Sequence, residues 1–193
     1  MAVIADVCSS ERIVHVDTDS QLITRARSDA VAFVQLYRGH YEAVFRYCVH
    51  RLFERHAAED VTSQVFLKVV ESFHRFEGNS QQFRSWLYRI ANNAVNEHLR
   101  KTVRHCNLLK AACEQVDNEV ADCRESSEKL AVLKQAMLSL KPKYQTVITL
   151  RFFENLKLTE IAKIVGSSPG TVRSQLSRAL AKLRRKLATD LTD

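Results

Sequence analysis

Between Ala30 and Phe53 the side chains Phe33, Val34, Leu36, Tyr37, Tyr41, Val44, Phe45, Cys48, Val49 and Leu52 recur at intervals of three and four. That spacing gathers them on one face of an α-helix. Asp29 stands just before the run and is the predicted N-cap, since its carboxylate can accept from the unpaired N–H groups of a first turn. A second helix is predicted over Ala57–Phe73, with Val61, Val65, Phe66, Val69, Val70 and Phe73 on one broad face. Glu59, Asp60, Gln64, Lys68 and Glu71 lie off that face. The run Phe76–Gln82 is polar, contains Gly78 and breaks the period, so it is read as a loop. A third helix is predicted from about Phe83 to Arg104. Ahead of Asp19 no period is evident, and residues 1–18 are expected to form a tail.

The pattern resumes near Glu128. Leu130, Leu133, Met137 and Leu140 mark one helix, and Tyr144, Val147, Ile148 and Phe152 another. Between the two halves the composition changes. Glu114, Asp117, Glu119, Asp122, Glu125 and Glu128 face only Arg124, which reads as an acidic linker. The expected fold class is all-α, two small helical domains joined by a flexible acidic linker. The expected bounds are a tail at 1–18, a first domain at 19–105, the linker at 106–127 and a second domain at 128–193. With 4 Gly and 2 Pro in 193 residues, little is left for the turns of a sheet.

The segment from Leu158 to Leu176 carries the strongest local signal, a short amphipathic helix, a tight turn and a second helix. Ala162 is small where two helices would cross, and Gly166 suits the positive φ of such a turn. Ser168 is a good N-cap, with Pro169 at the first helical position. Val172, Leu176, Leu180, Leu183 and Leu187 form a stripe expected to be buried. Arg173, Ser174, Gln175, Ser177, Arg178 and Lys182 occupy the other face. A helix in the major groove reads bases from its first turns: Arg suits guanine and Gln suits adenine, while Thr171 near the helix start suits a phosphate. From Lys141 onward eleven Lys and Arg oppose four Asp and Glu, and the chain carries +7 overall, a balance that favours a polyanionic partner. A solvated amphipathic hairpin would share the basic face, but turn chemistry, small residue and charge agree on DNA binding.

The residues then point to a family. Leu140–Leu156, leading into this helix-turn-helix, resembles region 4 of the extracytoplasmic-function sigma factors, the smallest members of the sigma-70 class. Ala58–Phe66 (AEDVTSQVF) is similar to their region 2.2, and Phe83–Ala94 (FRSWLYRIANNA) to their region 2.3–2.4 block. The resemblance covers about residues 20–103 and 128–188, in the family's order. It implies two helical domains. The first would bind the β′ coiled coil of the RNA polymerase core and hold the −10 element. The second would bind the β flap and read the −35 element of promoter DNA. An anti-sigma factor is a further partner that many relatives have.

Carried over residue by residue, the polymerase contact falls on Asp60, Ser63 and Gln64. This chain has Ser-Gln where many members have Gln-Glu, so the contact loses a carboxylate. The −10 assignment falls on Asn79, Ser80, Arg84, Trp86, Arg89, Asn92, Asn93, Arg100 and Lys101, with Arg104 adding charge. Trp86 has a second reading as a core anchor, and Phe66 is read as core rather than contact. Arg89 and Ile90 stand where housekeeping members carry a Trp pair, which implies weaker melting and stricter promoter choice. Asn92 replaces a common Arg and Glu97 a common Asp. The −35 assignment falls on Thr171, Arg173, Ser174, Gln175, Arg178 and Lys182, with Gln175 where many members have Arg.

Two rival readings set the limits. One is a helix-turn-helix regulator acting without polymerase core. The other is an enzyme or metal sensor built on His105, Cys106, Cys113 and Cys123. Those spacings match no common zinc pattern, and no Gly-rich phosphate loop, nucleophile elbow or H-E-x-x-H pair occurs. The chain is therefore expected to be non-enzymatic, with no cofactor and no metal. The odd count of 5 Cys without a CxxC pair fits reduced thiols in a cytoplasmic protein. Met1–Cys8 lacks a basic flank and is not expected to be a secretory signal, and no apolar run approaches the roughly 20 residues of a membrane span.

Overall fold

The computed structural model describes residues 16–112 and 128–190. The tail at 1–15 and the acidic core of the predicted linker, with Cys113 and Cys123, lie outside the described residues. The first lobe contains α1 (Val16–Arg25), α2 (Ala30–Leu52), α3 (Arg55–Phe73) and α4 (Ser80–Ala112). The second contains α5 (Glu128–Leu138), α6 (Pro142–Ile148), a π-helical turn (Thr149–Phe153), α7 (Leu158–Val165) and α8 (Pro169–Asp190). Among the described residues there is no strand.

Local chemistry sets the boundaries. Asp29 caps α2 as expected, its Oδ1 accepting from the Val31 N–H at 2.8 Å. Glu54 caps α3, accepting from the His56 N–H at 2.6 Å and from the Ala57 N–H, so this helix starts two residues before the expected Ala57. The loop before α4 is shorter than expected. Asn79 Oδ1 accepts from the Gln82 N–H at 3.0 Å while Gln82 Oε1 accepts from the Asn79 N–H at 2.9 Å. This reciprocal cap starts the helix at Ser80. α4 then runs past the expected Arg104 to Ala112, into the segment assigned to the linker, because no Gly or Pro interrupts it. At the other end, residues 16–18 are the first turn of α1 rather than tail.

Leu36, Val44 and Tyr47 of α2, Val61, Val65 and Val69 of α3, and Phe83, Leu87, Ala91 and Val95 of α4 fill the first lobe, with Ile23 of α1 closing it. Phe33 meets Phe73 edge-on at 5.2 Å, and Phe76 meets Trp86 at 5.0 Å, an aromatic layer under the start of α4. Two predicted core positions are outside. Val34 is 44% and Val70 56% exposed, since each sits about 100° around its helix from a neighbour, Phe33 or Val69, that faces inward.

In the second lobe Met137, Leu140, Tyr144, Ile148 and Ala179 form their own cluster, bordered by Leu133, Leu176 and Leu183. The stripe on α8 is less buried than expected: Val172 and Ala179 are fully covered, whereas Leu176, Leu180, Leu183 and Leu187 are half-buried. The helix predicted over Tyr144–Phe152 changes register at the π-helical turn, where the Glu154 N–H reaches back to Thr149 O at 3.2 Å. That wider turn leaves Phe152 and Phe153 exposed and Glu154 buried.

The sequence suggested two lobes related only by a tether; here they are docked. Val147, Leu150, Leu156, Ile161, Ala162, Ile164 and Val172 belong to the same contiguous core as the first lobe. α7 lies on α4, and the π-helical turn lies on α2.

Candidate nucleic-acid interface

The helix-turn-helix has the geometry its residues predicted. α7 ends on Gly166 at φ 65°, ψ 44°, the left-handed conformation that costs a glycine least. Ser168 Oγ accepts from the Thr171 N–H at 3.1 Å, and Pro169 opens α8. Ile161, Ala162 and Ile164 are buried, and α7 packs against both α4 and α8. Glu160 Oε2 accepts from the Lys157 N–H at 2.7 Å, fixing the start of α7.

With α8 held by its Val172 and Ala179 side, Thr171, Arg173, Ser174, Arg178 and Lys182 are exposed and Gln175 is half-buried. Three of these are partly engaged. The Thr171 hydroxyl lies 2.9 Å from that of Ser168, and Ser174 Oγ donates to Thr171 O at 3.0 Å. Lys182 Nζ sits 5.7 Å from the centre of the Tyr144 ring. Arg173 and Arg178 are therefore the exposed guanidinium groups on the first three turns of α8.

On α4 the residues assigned to the −10 element divide. Asn93, Arg100 and Lys101 are exposed, as is Arg89, whose guanidinium lies beside the Gly166 turn. Lys101 Nζ pairs with Glu97 Oε1 at 2.9 Å, and Glu97 also meets Lys68 at 3.4 Å; these lysines hold its carboxyl below the usual range. Asn79 and Ser80 form the capped start of the helix. Trp86 is half-buried between Phe76 and Phe83, whose ring centres lie 5.0 and 5.7 Å away, so it anchors the lobe. Arg84 donates from Nη2 to Glu154 O at 2.9 Å. Asn92, expected on the surface, is 6% exposed, and its Oδ1 accepts from Tyr47 Oη at 3.2 Å and from Thr146 Oγ1 at 3.3 Å. A cleft of about 930 Å³ runs between the lobes. Asn93, Asn96, Arg100 and Arg104 of α4 line one side, and Lys143, Gly166, Ser167 and Gln175 the other.

Asp60, Ser63 and Gln64 lie together on the exposed side of α3, and Leu67, 60% exposed, continues that surface one turn on. Phe66 is 6% exposed and packs edge-on against Tyr37 at 4.6 Å, as a core residue. Among the described residues no group of three or more His, Cys, Asp or Glu gathers as metal ligands would. Cys48 is buried, which pushes its thiol up to about 11, while Cys106 is exposed.

The sequence did not single out Glu154, Arg46, Arg51 and Tyr88, which meet where the lobes join. Burial pushes the Glu154 carboxyl up from its ordinary value, against the pull of Tyr88 and Arg46; the Tyr88 hydroxyl, buried beside that carboxylate, is pushed well above its own. Arg51 was legible in part, because it follows Val44 and Cys48 at helical spacing on the inward stripe of α2. For Glu154 no periodic signal exists, since the π-helical turn resets the register.

Comparison with known proteins adds an independent line. The family description "Sigma-70 region 2" matches residues 36–105, and "Sigma-70, region 4" matches residues 130–183. The chain is 34% identical over 184 residues to the ECF RNA polymerase sigma factor BldN of Streptomyces coelicolor, covering 90% of this chain and 69% of that one. It is 28% identical over 180 residues to the ECF RNA polymerase sigma factor SigW of Bacillus subtilis, covering 83% and 91%. Two solved structures share the fold. CnrH, in complex with the cytosolic domain of CnrY, aligns at a TM-score of 0.68 and 23% identity over 90% of this chain and 99% of that one. The sigma factor RpoE of Bartonella quintana, in complex with the anti-sigma factor NepR, aligns at 0.64 and 22% over 82% and 98%.

Proposed function

The chain belongs to the extracytoplasmic-function group of the sigma-70 family, and from that membership we propose that it is an alternative sigma factor that binds core RNA polymerase and directs it to a set of promoters. The observation that carries this reading is the pairing of two family regions, in order, with two helical lobes that each present exposed arginines on the helix assigned to DNA, Arg89 and Arg100 on α4 and Arg173 and Arg178 on α8. A lone helix-turn-helix would support any DNA-binding regulator.

The surfaces support a division of labour. The first lobe, about residues 19–105, takes polymerase on the exposed side of α3 through Asp60, Ser63 and Gln64. It takes the −10 strand on α4 through Asn79, Ser80, Arg84, Arg89, Asn92, Asn93, Arg100 and Lys101. Trp86 supports that surface from beneath rather than stacking on a base. The second lobe reads the −35 duplex, with Arg173, Gln175 and Arg178 toward base edges and Thr171, Ser174 and Lys182 toward the backbone. Phosphate contacts of this kind supply affinity and make it salt-dependent.

Catalysis belongs to the polymerase in this reading, and the chain needs no cofactor or metal. It acts in the cytoplasm, where polymerase is; among the described residues no helix is long and apolar enough to cross a membrane. An anti-sigma factor is a proposed partner by family membership, as the complex of RpoE with the anti-sigma factor NepR illustrates for that protein. The test is run-off transcription with purified core polymerase on a genomic promoter library. Promoter-specific transcripts that depend on added chain are expected. Equal transcription without it refutes the proposal, and specific binding of duplex operator with no polymerase present favours the rival regulator.

A further inference from the structure

The lobes meet through buried polar contacts set within their shared core, and we infer that these contacts form a lock holding the free chain in a self-masked state, with part of the DNA-reading face of α4 covered by the second lobe. The masking, though not the lock, rests on the reading of α4 as the −10 helix. Glu154, 2% exposed, reaches from the π-helical turn to the Tyr88 hydroxyl on α4 and to Arg46 Nη2 on α2 at 3.6 Å. Its backbone oxygen accepts from Arg84 at 2.9 Å. A second strut is Arg51, 1% exposed, which donates to Gln145 Oε1 of α6 at 2.8 Å and to Asn96 Oδ1 of α4 at 3.0 Å. Gln145 passes the constraint on, donating to Met137 O and Leu140 O at 3.0 Å each, at the end of α5. The third is Asn92, which accepts from Thr146. At the rim Gln81 Nε2 meets Glu160 Oε1 at 3.3 Å.

Two features make this a device for opening rather than a permanent interface. Arg84, assigned to the −10 strand, is occupied by the second lobe, and Asn92, also assigned to it, is held between Tyr47 of its own lobe and Thr146 of the second, so the masked chain cannot offer them to DNA. The lock also buries charge that it does not fully satisfy. Among the described residues Arg51 has no carboxylate partner, and Arg51 Nε and Glu154 Oε1 have no hydrogen-bond partner. A buried charge short of partners is costly, and water returns that cost when the lobes part. An interface of aliphatic side chains would lack this return. The π-helical turn is what delivers Glu154: an uninterrupted α-helix through residue 153 would direct residue 154 elsewhere.

Small-angle scattering on the full chain reads the lock directly. A compact chain of this length has a radius of gyration of about 16 Å. Glu154→Lys sets a third cation against Arg46 and Arg84 and is expected to raise the radius by several ångströms over the wild type, with helix content by circular dichroism retained. The charge swap Arg46→Glu with Glu154→Arg is expected to restore the compact value. Tyr88→Phe removes one hydroxyl and guards against a misfolded Lys variant; it is expected to expand the chain in the same direction. If neither single variant expands the chain, or if the swap does not recompact it, the lock is refuted. Masking is read by fluorescence anisotropy with a labelled single-stranded DNA 12-mer of mixed sequence. Tyr88→Phe, which leaves the charge unaltered, is expected to bind about tenfold more tightly than the wild type. Expansion without tighter binding refutes the masking. Failure of wild type and variants alike to place core polymerase on any promoter counts instead against the sigma-factor reading.

Discussion

Gly166 offers a graded test of the turn that aims the recognition helix. Its φ of 65° and ψ of 44° lie in the left-handed region. A Cβ built there meets nothing nearer than an Arg89 guanidinium nitrogen at 3.7 Å, an ordinary van der Waals distance. Sterics with neighbours therefore contribute nothing, and the whole cost of a side chain is backbone conformation. For Gly166→Ala that cost is about 1–2 kcal/mol, reduced somewhat because alanine also narrows the unfolded ensemble. Gly166→Asn costs less, since asparagine tolerates this region, and Gly166→Val costs most, since a branched Cβ is an outlier there. Thermal unfolding followed by circular dichroism measures the series. If the docked lobes melt as one unit, each kcal/mol lowers Tm by about 2–4 °C; if the second lobe melts alone, by about 4–8 °C. The order Gly, Asn, Ala, Val in falling Tm is expected. A valine variant as stable as the asparagine one refutes the argument that backbone strain alone sets the cost.

Other outcomes follow from the same geometry. Arg178→Ala should weaken binding of −35 duplex by the holoenzyme by about 1–3 kcal/mol and relax preference at one base pair, measured by competition binding; unchanged affinity and preference would remove Arg178 from the reading set. Ser168→Ala deletes the cap on Thr171 N–H and should cost about 1 kcal/mol in urea unfolding, with serine and threonine interchangeable there. Glu54 caps α3, and the N–H groups of Ala57 and His56 hold its carboxyl below its ordinary 4.5. Its folded pKa is depressed, so its contribution is present above pH 4.5 and lost as the pH falls through the lower folded value. A Tm–pH profile of Glu54→Gln should thus be flatter than wild type below about pH 5, and parallel profiles would contradict the cap. Asp60→Ala, at an exposed position, should weaken core polymerase binding while leaving Tm unchanged, and a large drop in Tm would mark it as structural instead.

Most of the fold was written in local chemistry. Apolar spacing located α2 and α3 to within a few residues, Asp29 and Ser168 announced their caps, and Gly166 announced the sign of its own φ. These are decided by residues within one or two turns of each other, so a linear reading suffices. The motif blocks identified the family for the same reason.

Three things were decided only in three dimensions. Val34 and Val70 are apolar and at helical spacing, yet they face outward, because which flank of a broad stripe is covered depends on where the neighbouring helix crosses. Asn92 and Arg84 sit on the helix assigned to DNA, yet the second lobe holds them, a contact made across more than fifty residues of chain. Glu154 reads as an exposed acid in a basic segment, and a single π-helical turn carries it into the joint between the lobes. Periodicity measures angle along one helix. It carries no information on how two lobes dock, because that is settled by long-range burial and by which buried charges find partners.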